Sequence, residues 1–160
     1  MQPLDEKQQQ RVWSRVLRAQ NDACPAGPED PPQKQDALAE LLRAARAAYR
    51  RYGQLAGRMR GPAARRMRSL AQQKRQSAKM LAAIRYLKTG AELLPAPDVP
   101  EPLGDLRAAL RAAYDEERAC AAALDRLSAA DPELAERYGE LARQARVRAQ
   151  TVLRCLGACL

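Results

Sequence analysis

Three ionisable residues occupy positions where helical periodicity calls for apolar side chains. Lys74, Glu117 and Arg148 each fall midway along a helical stripe of apolar residues, and Ser77 shares the stripe of Lys74. A buried lysine can act as a base or form a Schiff base. A buried carboxylate serves as a metal ligand or as an ion-pair partner. Because ion-pair networks are more often structural than catalytic, the three charges favour structural pairing, and Lys74 is the one residue that could act as a base.

The cysteines are a second potential source of chemistry. Glu117-x-x-Cys120 has the spacing of a ligand pair, and Cys155 and Cys159 lie four residues apart, close enough on a helix to share a soft metal with a third ligand. Small buried core residues are the more common role of free cysteines. With Cys24 the chain has four cysteines, but no Cys-x-x-Cys pair and no secretory signal. These features predict a reduced, cytoplasmic protein.

Composition limits the remaining function classes. Histidine is absent from the 160 residues, which excludes an ordinary Ser-His or Cys-His couple and a His-assisted zinc site. Alanine, leucine and arginine dominate, so one all-α domain is predicted. The net charge of +9 indicates either an anionic partner such as nucleic acid or arginines that solvate the outer faces of helices. No apolar run approaches the roughly 20 residues of a membrane span.

The chain divides into two regions by its pattern of Pro, Gly and apolar residues. Residues 1–35 are predicted to form a short N-terminal helix, with Trp13, Val16 and Leu17 on one side, and a Pro-rich linker. Residues 36–160 are predicted to form four long helices. Their expected ranges are about 36–60, 63–88, 103–127, and from the N-cap Asp131 and Pro132 nearly to the C-terminus.

The connections between these helices predict the topology. Short connections make the first and second helices antiparallel neighbours, and likewise the third and fourth. The connection TGAELLPAPDVPEP has 14 residues and can reach roughly 45 Å at about 3.3 Å per residue. A helix of about 25 residues is only about 37 Å long. The connection can therefore cross the length of the bundle and leave helices two and three parallel.

Alternating steps of three and four residues define one seam on each helix. In chain order the seam positions are Leu38, Leu42, Ala45, Tyr49, Tyr52, Ala56 and Met59; Met67, Leu70, Lys74, Ser77, Leu81 and Ile84; Leu103, Leu106, Leu110, Ala113, Glu117, Cys120, Leu124 and Leu127; and Leu134, Tyr138, Leu141, Ala145, Arg148, Val152, Cys155 and Cys159. Lys74, Glu117 and Arg148 fall at about the same level, where opposite charges can compensate one another. The alternative is that each long side chain reaches water past its neighbours.

This pattern resembles a known family. The four helices with a long central crossover, and phrases such as Tyr52-Gly-Gln-Leu-Ala56 and Lys88-Thr89-Gly90, resemble the rubrerythrin branch of the ferritin-like superfamily from about Asp36 to the C-terminus. The resemblance implies a ferritin-like four-helix bundle. In that family one Glu from each of two helices and a Glu-x-x-His pair from each of the other two hold two iron ions.

The resemblance also implies where these ligands would fall in this chain. The matching positions are Ala45, Lys74, Ser77, Glu117, Ala145 and Arg148. Glu117 alone keeps a ligand, and one carboxylate beside two cations cannot satisfy two iron ions. The resemblance therefore implies a degenerate site with no metal and no other cofactor, in which Lys74 and Arg148 neutralise Glu117.

A non-enzymatic binding or structural module is the function that these features favour, with an unidentified protein partner or self-association and no membrane contact. No residue is assigned a catalytic role. One alternative is a rubrerythrin-type oxidoreductase or iron-binding protein that uses other ligands. Another is a nucleic-acid-binding bundle. Its basic run would be Arg58, Arg60, Arg65, Arg66, Arg68, Lys74 and Arg75, from which the inward-facing Lys74 is subtracted.

Overall fold

Four α-helices form the part of the chain that the computed structural model describes, residues 36–95 and 102–158. They are α1 (Ala37–Arg58), α2 (Gly61–Thr89), α3 (Leu106–Ala130) and α4 (Ala135–Gly157), and these ranges contain no strand. The predicted all-α class is confirmed. No helix in the described ranges is both long enough and apolar enough to cross a bilayer. The predictions for residues 1–35 and for Cys159 lie outside the described residues.

The residues that flank the helices account for several of their ends. Asp36 caps α1 by accepting a hydrogen bond from the N–H of Ala39 at 3.0 Å, and Asp105 caps α3 through the N–H of Ala108 at 2.9 Å. Helix α2 ends at Gly90, whose φ of 68° is a left-handed conformation that glycine adopts without strain.

Three helix starts differ from the prediction. Helix α3 begins at Leu106 rather than at about Leu103, because Asp105 is its N-cap. Helix α2 begins at Gly61 rather than Ala63, because Pro62 fits the first turn of a helix, where its missing N–H is not needed. Helix α4 begins at Ala135, so the predicted N-cap at Asp131 is wrong. Asp131 is instead the C-cap of α3. Its carboxylate pairs with Lys88 and also accepts hydrogen bonds from the backbone N–H groups of Glu133 and Leu134, in the turn before α4.

The helices are arranged so that sequence neighbours are not always spatial neighbours. Helix α1 packs against α2 and α3, and α4 also packs against α2 and α3, so α2 and α3 occupy diagonal corners. Only Met59 and Arg60 join α1 to α2, which makes the two antiparallel. Contacts of Arg51 with Glu116 and of Arg58 with Gly104 make α1 antiparallel to α3 as well. Helices α2 and α3 are therefore parallel, and the connection between them joins opposite ends of the bundle.

The described ends of this connection both lie against α1. Near its start, the Arg46 guanidinium donates a hydrogen bond to the carbonyl oxygen of Leu93 at 2.9 Å. Near its end, the Arg58 guanidinium donates to the carbonyl oxygen of Gly104. Two arginines about three helical turns apart thus hold the two described ends of the connection against one helix of the bundle.

Two apolar clusters fill the interior, one toward each end of the bundle. The first includes Leu55, Met67, Leu70, Leu110 and Val152, and the second includes Leu42, Leu81, Ile84, Leu124 and Leu141. All predicted seam positions of α2 are buried. On α1 the seam turns inward one residue earlier than predicted, since Ala48 is buried in the first cluster and Tyr49 is 37% exposed.

Removal of the α3 cap should destabilise the bundle by a measurable amount. Asp105→Ala leaves the N–H of Ala108 without its acceptor, and we expect the free energy of unfolding to fall by about 1 kcal/mol in chemical denaturation. Asp105→Asn should retain most of the stability, because Asn also caps. Asp115→Ala, at an exposed position inside α3, is the control and should change stability by less than about 0.5 kcal/mol. Equal losses for both alanine variants would contradict the capping role of Asp105.

Candidate functional site

A polar layer lies between the two apolar clusters. Lys74, Ser77, Glu117 and Arg148 are 4%, 5%, 1% and 1% exposed, and they are the buried polar or charged residues of the described ranges. Each stands midway along its helix, two on α2 and one each on α3 and α4. The layer is therefore enclosed by apolar packing above and below.

The carboxylate of Glu117 is the centre of this layer. Its Oε1 accepts a hydrogen bond from the Tyr52 hydroxyl at 2.8 Å and lies 3.0 Å from Lys74 Nζ. Its Oε2 accepts from Arg148 Nε at 3.1 Å. The three donors come from α1, α2 and α4, so every other helix of the bundle supplies one partner to a single side chain of α3. Both carboxylate oxygens are satisfied, as a buried charge requires.

Ser77 and Cys120 border this centre with weaker contacts. Arg148 Nη1 lies 3.5 Å from Ser77 Oγ, and Lys74 Nζ lies 3.9 Å from Cys120 Sγ. Burial raises the pKa of the Cys120 thiol, although the nearby Lys74 charge acts in the opposite direction. The thiol is therefore held in its protonated form, which is a poor nucleophile and a poor metal ligand.

Tyr52 is the member of the site that sequence reasoning missed. Its place in the α1 seam was predicted, but as a packing residue, and it is 1% exposed. Burial and the adjacent Glu117 charge raise the pKa of its hydroxyl, so it stays protonated and donates to the carboxylate. The sequence signal for this role is the position of Tyr52 along α1, which is level with Glu117, because buried tyrosine hydroxyls usually have a hydrogen-bond partner.

The remaining predicted positions place no ligand at the centre. Ala45 and Ala145 are buried, at 2% and 0% exposed, and their methyl groups offer no donor atom. No cluster of three or more His, Cys, Asp or Glu side chains that could hold a metal occurs among residues 36–95 and 102–158. A dinuclear iron centre needs several carboxylates and imidazoles, and here both oxygens of the one carboxylate face protein cations. The residues present do not fit such a centre.

Base catalysis by Lys74 is also poorly matched by the geometry. The side chains of Lys74 and Glu117 are 5% and 1% exposed, so a substrate has no access to the ion pair. A general base must come within hydrogen-bond reach of the proton that it removes. The arrangement is that of an internal ion-pair network.

The predicted basic run divides between the interior and the surface. Lys74 belongs to the buried layer, and Arg58 donates to the Gly104 carbonyl. Arg58 is exposed, as are the other members: Arg60, Arg65, Arg66, Arg68 and Arg75. Cys155, which with Cys159 has the spacing of a ligand pair for a soft metal, is buried in the first apolar cluster.

Replacement of Glu117 should test whether the layer is a connected network. Glu117→Ala leaves Lys74 and Arg148 buried without a counter-charge, and we expect the free energy of unfolding to fall by about 3 to 5 kcal/mol. The combined change Lys74→Met, Arg148→Met and Glu117→Gln should cost far less, because no uncompensated charge remains.

The adjacent residue provides a matched control for Glu117. Glu116 forms an ion pair with Arg51 at the surface, where its side chain is 49% exposed. Glu116→Ala should therefore cost less than about 1 kcal/mol. A loss below about 1 kcal/mol for Glu117→Ala as well would mean that the charges are solvated and that the network contributes little.

Two wholly buried tyrosines allow a second comparison. Tyr52 donates to a carboxylate, whereas the hydroxyl of Tyr138 makes no hydrogen bond to any described residue. Tyr52→Phe should lower stability by about 1.5 to 3 kcal/mol, the range for a hydrogen bond to a charged group. Tyr138→Phe should be neutral or stabilising in the same denaturation assay, because it removes an unsatisfied polar group.

The free energy of unfolding should depend on pH in the alkaline range because of the same two tyrosines. Burial raises the pKa of both hydroxyls, so above about pH 10 the unfolded chain loses protons that the folded chain retains, and stability falls as pH rises. Each Phe variant lacks one such group and should show a shallower alkaline loss than the parent. An equal alkaline slope in all three chains would contradict the raised pKa values.

Comparison with known proteins returns no relative for this arrangement. No protein-family model matches the chain, and no curated protein and no solved structure matches it.

Proposed function

We propose that the chain is a metal-free, non-catalytic relative of the rubrerythrin branch of the ferritin-like superfamily, and that it acts as a binding or structural module. In this proposal the buried layer replaces the dinuclear centre of the resembled family. Lys74 and Arg148 supply the positive charge that metal ions would otherwise supply to Glu117.

The arrangement of the helices supports the proposal. Parallel α2 and α3 at diagonal corners, joined by a connection between opposite ends of the bundle, agree with the crossover of the resembled fold. The positions Lys74, Ser77, Glu117 and Arg148, matched from the resemblance, lie in one buried layer. If the resemblance is correct, the four matched positions should lie together in the interior, although they come from three different helices.

The single observation that carries the loss of metal chemistry is the environment of Glu117. Both of its oxygens are occupied by donors from Lys74, Tyr52 and Arg148 at 2.8 to 3.1 Å. A metal ion would have to displace two fixed cations to reach the carboxylate. The layer thus connects the four helices without redox chemistry, and recognition of a partner falls to the outer faces.

Elemental analysis of the purified chain gives the most direct test. After expression in iron-rich medium, we expect far less than one iron ion per chain, because the layer offers one carboxylate already paired with cations. Two iron ions per chain would overturn the proposal, since the resembled family binds two.

Restoration of the family's ligands should restore metal binding. The substitutions Ala45→Glu, Lys74→Glu, Ser77→His, Ala145→Glu and Arg148→His, with Glu117 retained, place four carboxylates and two imidazoles in the layer. Without metal this variant should be less stable than the parent, because the carboxylates raise one another's pKa values. Ferrous iron added under anaerobic conditions should raise its melting temperature by mass action.

Two controls define the outcome of this experiment. The parent chain should show no comparable rise in melting temperature. The same variant with Glu117→Gln should respond more weakly, because a carboxylate ligand is lost. A folded variant that does not respond to iron would remove the support for the family relationship, while the ion-pair network would still be tested by the Glu117 variants.

A further inference from the structure

The basic residues are concentrated in one half of the bundle. Residues 41–91, which span most of α1 and all of α2, contain 14 Lys and Arg residues and no Asp or Glu. The rest of the chain contains 14 basic and 19 acidic residues. The excess positive charge therefore belongs to the α1–α2 hairpin.

Part of this charge is compensated by acidic residues from outside the hairpin. Lys74 pairs with Glu117, Arg51 with Glu116, and Lys88 with Asp131. Another group is exposed and forms no ion pair with a described residue: Arg43, Arg60, Arg65, Arg66, Arg68, Arg75 and Lys79. A surface that contains only one sign of charge is suited to an anionic partner.

Three of these residues, Arg68, Arg75 and Lys79, line depressions on the outside of the hairpin. We define the outer groove as two depressions that share Tyr49. The larger, of about 1170 Å³, is lined by Arg50 and Gly53 of α1 and by Arg68 of α2, and Leu103 of the connection and Ala108 of α3 form its other side. The smaller, of about 220 Å³, is lined by Arg46 of α1 and by Arg75 and Lys79 of α2. The eleven-residue step from Arg68 to Lys79 corresponds to about 17 Å of helix.

The outer groove carries two features that folding alone does not require. Arg75 and Lys79 are four residues apart on α2, and like charges at this spacing destabilise a helix. Gly53 lies inside α1, where glycine also destabilises, and a Cβ at this position would meet no atom within 4 Å. No close packing therefore accounts for the glycine, and its effect is to leave the groove floor open.

We propose that the outer groove binds single-stranded nucleic acid. The guanidinium groups of Arg68 and Arg75 can bind phosphate oxygens through paired hydrogen bonds, and the Lys79 ammonium adds a third positive charge on the same helix. Tyr49, 37% exposed, offers a ring face on which one base can stack. Stacking on an exposed ring needs an unpaired base, so a single strand suits this surface better than a duplex does.

Two other anionic partners fit the surface less well. A membrane surface would call for large exposed apolar residues beside the charges, but Met80, Leu87 and Val147 lie outside the outer groove. An acidic peptide would use the positive charges, but its carboxylates offer no planar base to stack on the exposed Tyr49 ring.

A binding titration with the full chain tests the proposal. The probe is a fluorescein-labelled single-stranded oligothymidine, followed by fluorescence anisotropy at increasing salt. Four or five phosphate contacts predict that affinity falls roughly 100-fold between 50 and 200 mM salt. A duplex, polyglutamate and anionic phospholipid vesicles serve as competitors. Absence of binding at low salt, or stronger competition by any of the three than by unlabelled single strand, would overturn the proposal.

Variants that lose the same number of positive charges test whether binding depends on the outer groove or only on the net charge of the chain. The variant Arg68→Gln, Arg75→Gln and Lys79→Gln should weaken binding at least about tenfold and lower the magnitude of the salt slope by about 2. The control removes the same charge from exposed positions on α3 and α4: Arg111→Gln, Arg126→Gln and Arg137→Gln. The control should bind almost as the parent does. Equal losses in the two variants would overturn the assignment to the outer groove.

A substitution at the groove floor tests the site without changing charge. Gly53→Leu places a side chain in open space and replaces a poor helix former, so its melting temperature should equal or exceed that of the parent. The added side chain should nevertheless weaken binding severalfold, because it obstructs the strand. Unchanged affinity in the folded Gly53→Leu variant would place the nucleic acid elsewhere.

Discussion

The neutralisation of one buried carboxylate constrains the whole bundle. Glu117 on α3 needs partners for both oxygens, and α1, α2 and α4 each contribute one. A slide of any helix by one turn, about 5.4 Å, would remove its donor and leave a charge unpaired in an apolar interior. An apolar layer of similar volume could be equally stable, but it would accept several registers. The ion-pair network therefore selects one alignment of four helices whose other core residues are mostly Ala and Leu.

Much of this alignment could be predicted from the sequence, because each helix shows its own periodicity. Midway positions of Lys74, Glu117 and Arg148 in three separate seams were sufficient to place them at one level. Tyr52 was harder to assign, since a tyrosine satisfies an apolar pattern and only the three-dimensional arrangement shows what its hydroxyl contacts. The exposure of Tyr49 was not predicted, because the core seam of α1 continues from Ala45 by a step of three residues to Ala48, whereas a step of four to Tyr49 fits the same sequence pattern. Asp131 has the sequence of a helix cap, but its carboxylate pairs with Lys88, which is distant in the sequence.

The α1–α2 hairpin and the α3–α4 hairpin carry different charges: the basic residues are concentrated in the first, and acidic residues that pair with several of them lie in the second. Ion pairs between them run from basic residues of α1 or α2 to acidic residues of α3, or of the turn that follows it, as in Arg51 with Glu116 and Lys88 with Asp131. Two copies of the α1–α2 hairpin would repel each other, because residues 41–91 have no acidic side chain. The charge pattern thus favours the docking of unlike hairpins. It also leaves the outer side of the basic hairpin available for a partner from outside the chain.

The connection between α2 and α3 has a consequence for the order of folding. Contacts within each hairpin join residues that are close in the sequence, because only short turns separate α1 from α2 and α3 from α4. Contacts between the hairpins close a much longer loop and carry a larger entropic cost. We expect the hairpins to form first and to dock second, with the burial of Lys74 against Glu117 delayed until docking. The rate-limiting step would then be the dehydration of charged groups, so added salt would change the folding rate of this chain more than that of a bundle with an apolar middle.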